Sequence, residues 1–137
     1  MALKAYSLAR DGALHLTPHF RVREFACRDG ADLVKIDTDL VELLERIRTA
    51  ACGAVTVNSG YRTASYNQKV GGARASQHLL GKAADIQVAD TTVEAVAAYA
   101  ESLMPDWGGV GRYPVKSGRA KGWVHVDTRA KKSRWTL

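Results

Sequence analysis

SQHLLGKAAD at residues 76–85 and WVHVD at residues 123–127 are the two most informative stretches of this chain. In the second stretch the two valines face one side of a strand, so that His125 and Asp127 share the other side. Two residues along a strand span about 7 Å, and both side chains can therefore reach one cleft. The first stretch ends in the same alternation around Asp85, which predicts a second strand with its acid on one face.

Helices and further strands are predicted around these two stretches. Asp39 with Glu42, and Thr91 with Glu94, have the spacing of a capping box ahead of apolar residues at helical intervals. Strands are also predicted at 55–58 and 108–113, and a short helix at 63–70. The mixed order predicts an α+β fold with a small, mainly antiparallel sheet flanked by helices.

The length and composition predict one ordinary domain. A chain of 137 residues with 46% hydrophobic content can bury a core without a metal or a disulfide. We therefore expect a monomeric single domain over residues 1–137, with its core at about 16–135. No apolar run approaches the roughly 20 residues of a membrane span, and the first ten residues lack the features of an export signal. The sequence thus predicts synthesis in the cytoplasm and no membrane span.

The chain is strongly basic, with a net charge of +6 and a pI of about 9.5. The basic residues gather late in the sequence, at Arg112, Lys116, Arg119, Lys121, Arg129, Lys131, Lys132 and Arg134. Such a field favours a polyanion, either nucleic acid or the anionic polymers and lipids of a bacterial envelope, unless it only keeps the surface solvated. Cys27 and Cys52 are too few for a zinc knuckle, and we expect free thiols.

Three side chains have the chemistry of a metal site. His78, Asp85 and His125 offer two imidazole nitrogens and one carboxylate oxygen, enough for three corners of a tetrahedral zinc site with water at the fourth. Each has a structural alternative, because a single histidine after a turn is usually hydrogen-bonded and a buried acid can be paired. The residue pattern leaves both interpretations open. An open position on zinc would indicate hydrolysis.

Several ordered motifs resemble a known family. They are Ser59-Gly60-Tyr61-Arg62, Ser76-x-His78-x-x-Gly81-x-Ala83-x-Asp85, Gly109-x-Gly111-x-Tyr113, Trp123-Val124-His125-Val126-Asp127 and Arg134-Trp135. Together they resemble the zinc D-Ala-D-Ala carboxypeptidase family of metallopeptidases, within a wider group that includes lysostaphin-type enzymes and the hedgehog signalling domain. The likeness runs from about Leu16 to Trp135. It is greatest to small members that are often prophage-borne or act as murein endopeptidases.

The resemblance implies a cofactor and a substrate. One zinc ion would be held by His78, Asp85 and His125 on one face of the sheet, in a hedgehog- or DD-peptidase-like fold. The substrate would be a peptidoglycan stem peptide, cut by a zinc-activated water at a bond that involves a D-amino acid. The likeness does not separate carboxypeptidase from endopeptidase activity. We expect a phage or prophage lysis or virion enzyme that acts at the bacterial cell wall, with no nucleic-acid partner.

Further site residues follow from the same motifs. The resemblance implies that Arg62 contacts the substrate near the reacting carbonyl, a role that its planar charged fork suits. The alternative is a surface arginine that stabilises the turn. Ser76 either contacts the substrate or caps the turn into His78, and the cap is the favoured role. Tyr113 either lines the cleft beside the substrate or, as is more common for a tyrosine near a turn, packs against its neighbours.

The general base is the point at which the motifs depart from the family. Many relatives have an acid three residues before the last histidine ligand, where this chain has Gly122. Others have a histidine two residues before it, where this chain has Trp123. Asp127 remains, either as base for the zinc water or, as we favour, as the partner that orients His125. The missing acid also permits a non-catalytic zinc-containing module that binds cell wall.

Overall fold

The computed structural model describes residues 2–137, over which short strands and helices alternate. The strands are β1 (Leu3–Ser7), β2 (His15–Thr17), β3 (Phe20–Arg21), β4 (Leu33–Asp37), β5 (Val55–Ser59), β6 (Ala83–Val88), β7 (Gly109–Tyr113), β8 (Trp123–Asp127) and β9 (Ser133–Thr136). The α-helices are α1 (Leu8–Asp11), α2 (Thr38–Ala51), α3 (Ala64–Lys69) and α4 (Val93–Leu103), and 3-10 helices span Val22–Phe25 and Gln77–Leu80. None of the helices in this range is long and apolar enough to cross a bilayer.

The main sheet has five strands in the order β5-β6-β8-β7-β9. Its pairs are antiparallel except for β7 with β9, which run parallel. The predicted α+β fold with a mainly antiparallel sheet is therefore confirmed. The edge strand β9 was not predicted, because the basic residues that surround Trp135 hide its alternation. β1 pairs with β4, and β2 with β3, in two smaller sheets.

Both long helices begin earlier or later than the predicted capping boxes. Asp37, the last residue of β4, caps α2 by accepting a hydrogen bond from the Asp39 amide at 3.0 Å. Thr92, rather than Thr91, caps α4 through the Ala95 amide at 3.1 Å. The capping-box predictions were therefore wrong by one or two residues. The helix starts where the preceding strand or turn leaves a side-chain oxygen over the first free amides.

One hydrophobic core lies between the main sheet and the helices α2 and α4. Valines and an isoleucine from the inner face of the sheet are almost fully buried in it, among them Ile86, Val110, Val124 and Val126. Each such side chain contributes about 1.5–3 kcal/mol through burial. The opposite face of the same strands is left for polar side chains. This division fixes the direction in which the residues between the valines must point.

Candidate metal centre

The three predicted metal donors meet at one point on the outer face of the sheet. His78 Nε2 lies 3.2 Å from Asp85 Oδ1, and His125 Nδ1 lies 3.1 Å from the same oxygen. Each residue has one donor atom that lies within 4.8 Å of a donor atom of the other two. The residues are only 2%, 9% and 8% exposed. This donor trio is therefore almost fully buried on the outer face of the sheet.

The sheet register and a short 3-10 helix bring the donor trio together. Asp85 on β6 lies directly opposite His125 on β8 in the antiparallel ladder. His78 arrives from the 3-10 helix at Gln77–Leu80, whose first turn is capped by the Ser76 hydroxyl at 3.2 Å from the His78 amide. Gly81 ends that helix with a φ of +74°, a conformation that suits glycine. The chain can then turn directly into β6.

The backbone fixes the protonation of Nδ1 of His78, which we call its outer nitrogen because it faces away from Asp85. His78 Nδ1 lies 2.7 Å from the carbonyl oxygen of Gly60. A carbonyl can only accept a hydrogen bond, so Nδ1 carries the proton and donates it. The neutral imidazole therefore presents the lone pair of Nε2 to Asp85.

The outer nitrogen of His125 is fixed by a carboxylate. His125 Nε2 donates to Asp127 Oδ2 at 2.7 Å, on the other side of the ring from Asp85. Asp127 is fully buried and also accepts from the amides of Gly109 and Arg129 and from the Arg129 guanidinium, at 2.8 and 2.6 Å. His125 therefore presents the lone pair of Nδ1 toward the same Asp85 oxygen.

This arrangement suits a divalent cation. Two imidazole lone pairs and one carboxylate oxygen converge, and they repel one another unless a cation or a proton lies between them. With protons between these groups instead of a cation, the imidazoles donate to Asp85. Burial alone would lower the pKa of His125, yet its hydrogen bonds to Asp127 and Asp85 then raise that pKa overall. Burial alone would raise the pKa of Asp85, yet hydrogen bonds from His125 and His78 then hold it below its usual range. Two nitrogens and one oxygen are a donor set that zinc accepts in catalytic sites.

Arg62 binds the second oxygen of Asp85. Its Nη2 donates to Asp85 Oδ2 at 3.1 Å, its Nε donates to Ser59 Oγ at 3.0 Å and its Nη1 donates to Asn67 Oδ1 at 3.2 Å. The Arg62 amide also donates to the carbonyl of His78. Arg62 thus lies beside the donor trio and turns Asp85 so that Oδ1 faces the histidines.

Comparison with known proteins assigns the chain to a family. Residues 15–127 match the family described as Peptidase M15. The chain belongs to this peptidase family. It is also 36% identical over 102 residues to the probable peptidoglycan L,D-endopeptidase MepK of Haemophilus influenzae, covering 69% of this chain and 51% of that protein. The chain thus spans about half the length of this curated relative, and the family resemblance seen in the motifs is confirmed.

The other predicted site residues of this M15 chain are bound to neighbouring side chains or backbone. The Tyr113 hydroxyl accepts from Trp135 Nε1 at 3.1 Å, and its ring stacks on Trp123 with centroids 4.9 Å apart. Ser76 caps the turn into His78, as described above. The carbonyl of Gly122 accepts from Gln87 Nε2 at 2.8 Å. Tyr113 therefore packs against two tryptophans, of which Trp135 lies beside His125.

Trp135 covers the donor trio from the edge of the sheet. Its ring centroid lies 5.1 Å from that of His125, and the Arg129 guanidinium lies over the indole ring at 5.5 Å from its centroid. Trp135 is half-buried on the outer face, because β9 pairs with β7 in a register that sets Trp135 beside Gly111. A Cβ at Gly111 would overlap the indole, so the glycine makes room for it.

Part of the basic run stabilises the fold instead of facing solvent. Arg112 pairs with Glu94 and Glu101, which raise its pKa further. Arg134 donates to the carbonyls of Gly108 and Met104. The lysines that are exposed to solvent in this run are Lys116, Lys121, Lys131 and Lys132. The surface available to a polyanion is therefore smaller than the sequence indicated.

Proposed function

We propose that this chain is a zinc-dependent peptidase that hydrolyses peptide bonds of bacterial peptidoglycan stem peptides, with the metal bound by His78, Asp85 and His125. The observation that carries the proposal is the convergence of three lone-pair donors in a member of a peptidase family. The similarity to a probable peptidoglycan L,D-endopeptidase of H. influenzae supports peptidoglycan as substrate. When bound, zinc supplies a Lewis acid that activates water and polarises the scissile carbonyl.

We propose that Asp127 orients His125 and does not act as the general base. Its two oxygens accept hydrogen bonds from His125, Gly109 and Arg129, and no part of the residue is exposed. Burial alone would raise the pKa of Asp127, but the hydrogen bonds from His125 and Arg129 lower it overall. A carboxylate held in this way is a weak base, and it keeps the proton of His125 on Nε2.

We propose that Arg62 binds the substrate beside the metal. A guanidinium has five N–H donors, and one on each nitrogen is used by Ser59, Asn67 and Asp85. One N–H remains on each terminal nitrogen of a side chain that is 13% exposed. Charged donors of this kind suit a carboxylate or the oxygen that becomes negative during hydrolysis.

An endopeptidase fits this chain better than a carboxypeptidase. An internal cut needs room for the peptide on both sides of the reacting bond. A groove of about 780 Å3, which Gln87 and Trp123 help to line and the donor trio does not, offers room on one side. Each lies two residues along its strand from Asp85 or His125, on the same face. The relative is named an L,D-endopeptidase, whereas the motifs suggested D-Ala-D-Ala bonds. We propose endopeptidase activity and leave both bond types to the assay below.

We further propose that residues 16–135 are the core of a single peptidase domain with a hedgehog- or DD-peptidase-like fold. Continuity of the hydrophobic core supports this division. The site of action would be the bacterial cell wall, where the exposed lysines face anionic polymers. An origin in a phage or prophage, and a monomeric state, stay predictions from the sequence.

Purified muropeptides of known structure test the proposed function. The zinc-loaded protein is incubated with them, and product masses are read with and without a chelator. We expect split stems or cross-links that disappear with chelator and in His125→Ala, and the masses identify the bond. Release of terminal D-Ala would indicate a carboxypeptidase instead. Bound but unchanged peptides would favour the non-catalytic module, which Gly122 and the buried state of Asp127 make the second candidate.

A further inference from the structure

A buried amide lies directly behind Arg62, outside the donor trio. Asn67 belongs to the short helix α3 and is 4% exposed. Its Oδ1 accepts from Arg62 Nη1 at 3.2 Å, and its Nδ2 donates to the carbonyl of Ala73 at 2.9 Å. Both ends of the amide are therefore used, and the contacts fix which end faces the guanidinium.

The loop after α3 is shaped around this amide. The Gly72 amide donates to the backbone carbonyl of Asn67 at 2.9 Å. A Cβ at Gly72 would overlap the Asn67 side chain and lie 3.0 Å from Arg62 Nη1. Glycine at this position thus lets the loop close over the amide without displacing it. From the sequence, Gly71-Gly72 reads only as a flexible approach to His78.

Asn67 holds the end of the guanidinium that the sheet cannot reach. Ser59 and Asp85 belong to the strands β5 and β6, and they bind Nε and Nη2, which form one edge of the group. Asn67 binds Nη1 from outside the sheet. With the first two contacts alone the group can still tilt about that edge. The third contact fixes the plane, and with it the direction of the remaining N–H donors.

We propose that Asn67 is a positioning residue for hydrolysis, which sets the plane of Arg62 toward the substrate through its neutral amide oxygen. This inference rests on the proposed function. An aspartate here would add a second carboxylate on the guanidinium, in competition with Asp85, and would lose the donor to Ala73. An alanine would leave the guanidinium with two anchors. Displacement of a catalytic contact by about 1 Å can cost about 100-fold in rate.

The test is a double-substitution cycle on the full chain with a defined muropeptide. Asn67→Ala should lower kcat by about 10- to 100-fold, with smaller changes in KM and in zinc content. In an Arg62→Lys background the same substitution should change kcat less than about 2-fold, because no guanidinium is left to position. Gln68→Ala, an exposed substitution on the same helix, is the control and should match wild type. Gly72→Ala should reproduce the loss by displacing the amide.

A second measurement reads the guanidinium without turnover. In 15N spectra of the wild type, Arg62 should show hindered rotation of its terminal nitrogens, and Asn67→Ala should release it while the melting temperature stays within a few degrees. An equal kcat loss from Asn67→Ala in both backgrounds, or an unchanged Arg62 spectrum, would overturn the inference and leave the proposed function intact. A wild-type protein that binds zinc but splits no muropeptide would instead remove the proposed function, and the positioning role with it.

Discussion

The two histidines of the donor trio are supported in different ways. His78 lies in a turn, and its outer nitrogen donates to the backbone carbonyl of Gly60. His125 lies in the middle of a strand, and its outer nitrogen donates to Asp127, whose charge is balanced by Arg129. A neutral carbonyl orients the ring, whereas a carboxylate both orients it and makes the inner nitrogen more basic. Side-chain substitutions can therefore weaken the support of His125, but the support of His78 can be changed only through the backbone.

Removal of either imidazole ring should have the largest effect on zinc binding and hydrolysis, and the effect should be the same for the two histidines. His78→Ala and His125→Ala each delete one of three donors, so we expect loss of stoichiometric zinc and of nearly all hydrolysis, with near-native circular dichroism. Metal analysis of the purified variants measures this. His19→Ala is the control, because this half-exposed histidine pairs with Glu45 instead. Full zinc content in both site variants would remove them from the metal centre.

Asp127→Asn should weaken the support of His125 and leave that of His78 unchanged. The amide keeps the shape but not the charge, so His125 binds the metal less well, and we expect zinc affinity to fall by about 10- to 100-fold. With saturating zinc, most of the turnover should return if Asp127 only orients the ring. Asp37→Asn removes another fully buried carboxylate and should lower stability without changing zinc affinity. A turnover that stays abolished at saturating zinc would make Asp127 a base.

Gly60→Ala should weaken the support of His78 through the backbone. Its Cβ would lie 2.8 Å from Phe25 Cα and Phe25 O, so the chain must shift, at a cost of about 1–3 kcal/mol. The shift moves the Gly60 carbonyl, and we expect weaker zinc binding together with a lower melting temperature. Gly71→Ala is the control. Its Cβ would meet open space, but the φ of +73° disfavours alanine, so we expect a loss of about 1–2 kcal/mol in the free energy of unfolding with zinc affinity unchanged. Equal zinc affinities in the two variants would contradict a role for the carbonyl.

Ser76→Ala should have the smallest effect. It removes the cap of the turn into His78, which is worth about 1 kcal/mol, and we expect a lower melting temperature with zinc content and KM unchanged. Thr92→Ala removes the cap of α4 and serves as a control of similar size. A raised KM in Ser76→Ala alone would assign this hydroxyl to substrate binding.

The sequence predicts the parts of the site that depend on strand alternation. Asp85 and His125 fall on one face because apolar residues flank each of them on its own strand and point to the other face. Family membership can likewise be predicted from the sequence, since the motifs keep their order over most of the chain. His78 follows from its motif more than from any pattern, because a 3-10 turn has no long periodicity to reveal its direction.

The remaining contacts depend on which distant segments meet in three dimensions. Asn67 has no periodic signal, and its role depends on how the loop at Gly72 folds back over α3. Trp135 reaches His125 only because β9 pairs with β7, a parallel pairing between segments separated by a whole strand. Phe20 lies in a stretch that mixes apolar and charged residues without a regular period, yet it is 1% exposed. Local patterns do not encode such long-range choices.

The strand order has a consequence for how the protein is made on the ribosome. β6 lies between β5 and β8 in the sheet, yet β8 is synthesised well after both of its companions. A nascent chain that ends before β8 carries two of the three donors and has an unpaired strand edge at Asp85. The metal site can therefore form only after β8 has left the ribosome. A translation product truncated before β8 would lack His125 and would have no complete metal site inside the producing cell.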